Sequence, residues 1–140
     1  EVQMSATQLA TYIFILHQSC CTHHGGLVKA GQHHPLSDKD VQRLGRTYHA
    51  ICNLFRDTPI TDERSYLEDV PNIRGYIARI RTAIAHHIDD QDIRFYTPQD
   101  TSDKSRYYIA IDPTKITLRL SSGEIPFMDY PLWKTLASKH

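Results

Sequence analysis

The stretch NIRGYIARIRTAIAHHIDD, residues 72–90, decides how this chain is read. Ile73, Ile77, Ile80, Ile84 and Ile88 recur at steps of three and four residues, the spacing of one buried stripe on an α-helix. At about 100° per residue the five isoleucines fall within roughly 80° of one another. Pro71 stands just before them and suits a helical first turn, so the helix is expected to open there. Opposite the stripe lie Ala78, Thr82 and Ala85, all small, with Arg81 and Arg74 along one side and His86 and Arg79 along the other. A merely solvated face more often carries Glu, Lys and Gln. A small-residue strip lets another backbone approach closely, with the Arg and His side chains projecting along the edges of the contact. The plainer alternative is that Ala and Thr are simply tolerated in a helix.

Working outward, two helices precede this one. Ser5-x-x-Gln8 forms a capping-box pattern, followed by Leu9, Ile13, Leu16 and Cys20 at helical spacing and an expected end at Gly25-Gly26. Residues 25–36 read as a loop. Ser37-x-x-Asp40 opens a second helix whose stripe is Val41, Leu44, Tyr48, Ile51 and Phe55, closed by Thr58-Pro59. Residues 57–70 read as a polar connection with a short helical turn at Glu63–Glu68.

Beyond Asp89-Asp90 the pattern changes. Residues 97–105 read as a polar loop. Residues 106–112 (RYYIAID) and 116–120 (ITLRL) are β-branched and aromatic, with Asp112-Pro113 between them as a turn signal, so a β-hairpin is expected. Ser121-Ser122-Gly123 is a second turn leading to a short strand at 124–127, and residues 130–138 form a short closing helix packed through Leu132, Trp133 and Leu136. The expected architecture is α+β and a single domain over 1–140. A mainly α-helical bundle covers residues 5–96, and a C-terminal β-hairpin or meander appendage covers residues 106–127.

Composition narrows the function classes. The chain has 140 residues, 16 Lys plus Arg and 16 Asp plus Glu, so its formal net charge is zero. Global electrostatics give no argument for nucleic acid or a membrane surface; any RNA contact must come from a local cluster or a dimer groove. The 3 cysteines are an odd count and include the neighbours Cys20 and Cys21, which is no disulfide framework, so a reducing, cytoplasmic setting is expected. No apolar run approaches the ~20 residues of a membrane span, and no signal-peptide pattern is visible. The first residue is Glu1 rather than Met, which leaves room for a larger parent protein.

IRTAIAHH, within residues 80–87, resembles the signature of HEPN domains: an Arg, four to six residues, then a His, near the end of a late helix of an α-helical bundle. The matching pair is Arg81 and His86. The family often has Asn, Asp or His directly after the Arg, where this chain has Thr82. The same spacing also joins Arg43 to His49, Arg79 to His86 and Arg81 to His87, so the weight rests on position in the third helix and on its small-residue face. The resemblance implies a helical bundle that dimerises through this helix and cuts RNA without a metal or other cofactor. Arg and His from both protomers would form one composite site, in a toxin or anti-phage defence role with a cognate antitoxin or a larger parent complex as partner. His suits proton transfer near neutral pH, and Arg offers a charged fork of donors to phosphate. Thr82 would orient a side chain or bond a phosphate oxygen; Arg74, Arg79 and His87 would support the backbone.

Two other readings use different residues. His17-x-x-Cys20-x-x-His23 places zinc-type ligands three apart near a helix end, with His33 and His34 able to fold back. A non-catalytic dimerising or partner-binding module would leave the Arg/His edge as polar trim. His49 reads as surface or interface decoration, and Tyr107 and Tyr108 as ordinary strand residues. No Gly-rich phosphate loop, Ser-centred elbow or paired-carboxylate motif is present.

Overall fold

Ser5 starts the first helix as its sequence promises. The Ser5 hydroxyl accepts from the Gln8 amide and the Gln8 side chain accepts from the Ser5 amide, each at 3.2 Å. The computed structural model describes residues 4–22, 24–30, 35–55, 65–86, 93–120 and 123–138. Helix α1 spans Ala6–Cys20. Its burial is not the single stripe of the sequence reading. Ala10, Thr11 and every residue from Ile13 to Gln18 are buried, because the apolar run Tyr12–Leu16 covers the whole girth of the helix and makes it central. Thr11 is tolerated there because its hydroxyl donates to the Thr7 carbonyl (2.9 Å) and meets the Tyr48 hydroxyl (3.1 Å).

Two helices pack on α1. Helix α2 (Asp38–Leu54) is capped by Ser37, whose hydroxyl accepts from the Asp40 amide at 3.2 Å, and Asp38 and Asp40 complement its positive end. Leu44, Tyr48 and Ile51 of the expected stripe are buried; Val41 and Phe55 are half-buried. Helix α3 (Tyr66–Ala85) begins five residues before Pro71, with Ser65 as its cap, so the expected start at Pro71 is corrected. Residues 66–68 of the expected short turn are its first turn, and 56–64 lie outside the described residues. A helix survives Pro71 because the missing amide orphans only the carbonyl of Leu67, a residue 54% exposed and open to water. Ile73, Ile77, Ile80 and Ile84 are all at most 3% exposed, while Ile88 is outside the described residues. Burying four isoleucines is worth roughly 6–12 kcal/mol before entropy is set against it. Phe14, Tyr48 and Tyr66 join the three helices through ring centroids 5.0–6.4 Å apart.

The strands differ from expectation in their pairing. β1 is Leu27–Val28, inside the stretch read as loop; after the helical turn α4 (Ile93–Tyr96), β2 is Gln99–Asp100, inside the expected polar loop, and β3 is Arg106–Tyr108. β3 sits between β1 and β2, antiparallel to both, with Leu27 opposite Tyr107 and Gln99 opposite Tyr108. The expected pairing of 106–112 with 116–120 does not form. Ile109 turns inward beside α1, 3% exposed, with its amide on the Ser19 hydroxyl at 3.3 Å. Asp112-Pro113 opens a 3-10 turn (Pro113–Lys115) instead of a hairpin, the Asp112 carboxylate accepting from the Thr114 amide at 3.0 Å.

Gly26 governs the turn into β1. Its φ is +142°, and a Cβ there would lie 2.4 Å from the Tyr107 carbonyl oxygen, so β3 approaches too closely for any side chain.

The chain divides into two compact units, residues 1–110 and 111–140. Within the second, β4 (Thr117–Leu120) pairs with β5 (Gly123–Pro126), as the turn at 121–123 suggests, and α5 (Leu132–Ser138) closes the unit. Trp133 and Leu136 are buried as expected and Leu132 is half-buried. The Trp133 indole donates to the Phe127 carbonyl at 2.6 Å. The protein is thus α+β, mainly helical, with two small antiparallel sheets. Among the described residues no helix is long and apolar enough to cross a membrane.

Candidate nucleic-acid interface on the third helix

The helical wheel of α3 is realised in three dimensions. With its isoleucines inside, Ala78, Arg79, Thr82, Ala85 and His86 are all exposed. The small-residue strip is therefore an open face of the unit formed by residues 1–110. Gln8 of α1 joins Ala78, Arg79, Thr82 and Ala83 around a shallow depression of about 360 Å3 on this face. The Thr82 hydroxyl donates back to the Ala78 carbonyl at 3.1 Å, which leaves its oxygen lone pairs turned outward as acceptors. His86 is the residue that caps the C-terminal end of α3, and it is exposed.

The two arginines on the other edge behave differently. Arg81 donates through Nε to the Pro98 carbonyl at 2.9 Å, and a terminal nitrogen lies 3.9 Å from the Asp100 carboxylate. Arg74, about two turns earlier, donates to the Ala30 carbonyl. The pair clamps α3 to the segment leaving β1 and the segment approaching β2. On the wheel Arg81 lies roughly 80° from Ile73 and roughly 70° from the centre of the strip, so it stands on the border between the core and the strip. Its side chain is still 42% exposed. Asp100 also takes the Lys29 ammonium at 2.7 Å, and this hydrogen bond holds its carboxyl below the ordinary range.

Arg81 and His86 are five residues apart, which sets them roughly 140° apart around the helix. Among the described residues no hydrogen bond or ion pair joins them. Arg79 and His86 share the open edge. His87 lies outside the described residues.

The zinc reading meets a packed core. His17 is 2% exposed, with its Nδ1 3.1 Å from the Gln18 amide nitrogen, and Cys20 is half-buried. His23, His33 and His34 lie outside the described residues, and among the described ones no group of three metal-ligating side chains converges.

One pair escaped the sequence reading. His49 does more than decorate a surface or an interface: its Nε2 lies 2.8 Å from a carboxylate oxygen of Asp69, which is 4% exposed, and the contact ties α2 to α3. The signal was present. Asp69 is four residues before Ile73 and continues the isoleucine register, and a carboxylate on a buried stripe must find donors. No family model, curated protein or solved structure matches this chain.

Proposed function

We propose that the protein is an HEPN-like, metal-independent endoribonuclease that self-associates through the exposed strip of α3, in the cytoplasm and in a toxin or anti-phage defence setting. The observation that carries this reading is the open Ala78–Thr82–Ala85 face with Arg79 and His86 along one edge and Arg81 along the other. A second copy is the natural cover for such a face, because small side chains let two helix axes come close. Measured from the centre of the strip, Arg81 and His86 lie roughly 70° to opposite sides. A two-fold axis parallel to the helices then brings Arg81 of one protomer to the same side as His86 of the partner subunit. They are offset by about 7.5 Å along the axis, a gap that a phosphate held between the two side chains spans.

The chemistry follows from that arrangement. One imidazole takes the proton of an RNA 2′-hydroxyl. The 2′-oxygen attacks the adjacent phosphorus, and the guanidinium of Arg81 balances the charge that builds on the non-bridging oxygens, with Arg79 and Arg74 holding the flanking backbone. The bond from phosphorus to the 5′-oxygen breaks, and a protonated imidazole supplies the proton that oxygen needs. The products are a 2′,3′-cyclic phosphate and a 5′-hydroxyl. Thr82 orients a neighbouring side chain through its outward oxygen, and His87 belongs to the supporting set by its place in the sequence alone. A cognate antitoxin or a parent complex would cover the same cleft. The odd count of 3 cysteines, with Cys20 and Cys21 adjacent in the sequence, supports a reducing compartment.

The second reading, a partner-binding module without catalysis, is favoured by the bond from Arg81 to the Pro98 carbonyl, which engages the guanidinium inside its own chain. Cleavage of RNA by the purified protein in EDTA separates the two. The nuclease reading expects a loss of roughly 100-fold or more in His86→Ala with the fold unchanged. It also expects Ala85→Arg to abolish dimer and cleavage together. A fully active dimeric Ala85→Arg protein would show that the strip is not the interface. Wild-type protein that dimerises but leaves varied RNAs intact would establish the binding module.

A further inference from the structure

α1, β1, α2 and β3, with His24, Gly26, Pro35 and Leu36 of the connecting segments, line a half-open cavity of about 370 Å3 that shares no lining residue with the depression on α3. Arg43 reaches it from α2 and Arg106 from β3. Neither guanidinium is well satisfied. The Arg43 side chain is 12% exposed, and among the described residues its nitrogens find only the Gln18 side-chain oxygen at 3.5 Å and the Asp40 carboxylate at 3.4 Å, both at the far limit of a hydrogen bond. The Arg106 Nε is shut off from solvent and has no hydrogen-bond partner among the described residues, while one terminal nitrogen reaches the Ser105 hydroxyl at 3.3 Å. Each guanidinium has five donors to satisfy. Two cations facing one cavity with so few acceptors is an unfavourable arrangement unless an anion joins them.

We propose that this cavity binds a phosphomonoester of about mononucleotide size, with its phosphate held between Arg43 and Arg106. Phosphate fits better than a flat carboxylate because its oxygens point in several directions and accept forks arriving from two separate elements. Its two negative charges match the two guanidiniums once Asp40, 45% exposed, turns to solvent. Gln18 acts as a positioning residue: it is 1% exposed, its amide nitrogen is held at the His17 ring, and its oxygen is left for Arg43. Leu36 and Leu44 give the remainder of the ligand an apolar wall, and the cavity volume is within the range of roughly 300–1,000 Å3 of small-molecule sites.

The test is an NMR titration of the wild-type chain with inorganic phosphate, with AMP and with adenosine, each at ionic strength matched by sodium chloride. Phosphate and AMP are expected to shift the signals of Gly26, Arg43 and Arg106, and adenosine at the same concentrations to leave them in place. Arg43→Gln and Arg106→Gln are each expected to weaken AMP binding about tenfold or more, because each removes charge-assisted hydrogen bonds. Equal shifts from adenosine overturn the proposal, as do AMP shifts that map elsewhere, phosphate shifts no larger than those from chloride, or folded variants that bind like wild type. Should a variant fail to fold, the wild-type map and the comparison of AMP with adenosine still decide the matter.

Discussion

His49→Ala is expected to lower the stability of the helical unit by about 2 kcal/mol. The figure comes from one contact. His49 Nε2 and Asp69 Oδ2 are 2.8 Å apart, and the Asp69 side chain is 5% exposed, so the substitution takes a short hydrogen bond away from a buried carboxylate. Hydrogen bonds to charged groups are worth about 1.5–3 kcal/mol. The His49 side chain is 18% exposed, so some solvent screening keeps the value away from the top of that range. Loss of the His49 ring beside Tyr48, centroids 6.1 Å apart, adds a small packing term. The assay is urea unfolding followed by far-UV circular dichroism, which reports chiefly α1, α2 and α3. The single tryptophan is at 133 and reports on residues 111–140, so its fluorescence serves as a separate channel. In a heat scan the same loss appears as roughly 6–8 °C. A double-mutant cycle with Asp69→Asn isolates the pair, and a coupling of about 1–2 kcal/mol is expected. A His49→Ala change under about 0.5 kcal/mol, or a coupling energy of zero, would refute the claim that this contact locks α2 to α3.

Two further expectations concern the sheet and its turns. Gly26→Ala should cost well over 2 kcal/mol, because its Cβ would meet the Tyr107 carbonyl at 2.4 Å. Gly25→Ala, at φ +69° with nothing within 4 Å, should cost about 1–2 kcal/mol. Equal losses, or unchanged amide exchange at Leu27 in Gly26→Ala, would contradict the close approach of β3. Stability should also fall in acid. Asp103 accepts from the Ser105 hydroxyl, the Ser105 amide and the Thr101 hydroxyl, which hold its carboxyl below the ordinary range, and the Thr114 hydroxyl and amide do the same for Asp112. A carboxyl depressed in the folded state stabilises above its unfolded value of about 3.9 and loses that contribution as pH falls below it. Urea midpoints should therefore hold from pH 6 to about 4 and drop below, and Asp103→Asn should flatten the drop; a midpoint constant to pH 2.5 would contradict the assignment.

How far the sequence could be read depended on whether a residue's fate was set locally. Ser5 and Ser37 cap helices using amides three residues away, and the isoleucines of α3 announce a buried face by their own spacing, so helices and core were legible. β1 and β2 have two residues each, too short to show a period, and their place was chosen by what lies opposite Tyr107 and Tyr108. Arg81 shows the same limit at the candidate site. Its position beside the strip was readable, but its partner is a carbonyl 17 residues on, in a segment without pattern. Gln18, Arg43 and Arg106 meet at one cavity from three separate elements, and nothing in their spacing announces it. Asp69 is the instructive middle case. It keeps the register of Ile73, and a carboxylate in that register demands a donor from a facing helix. The demand was legible, and only the fold could show that His49 meets it. A polar residue that interrupts an apolar stripe in register is therefore the place where such a sequence points beyond its own helix, toward the element that must pack against it.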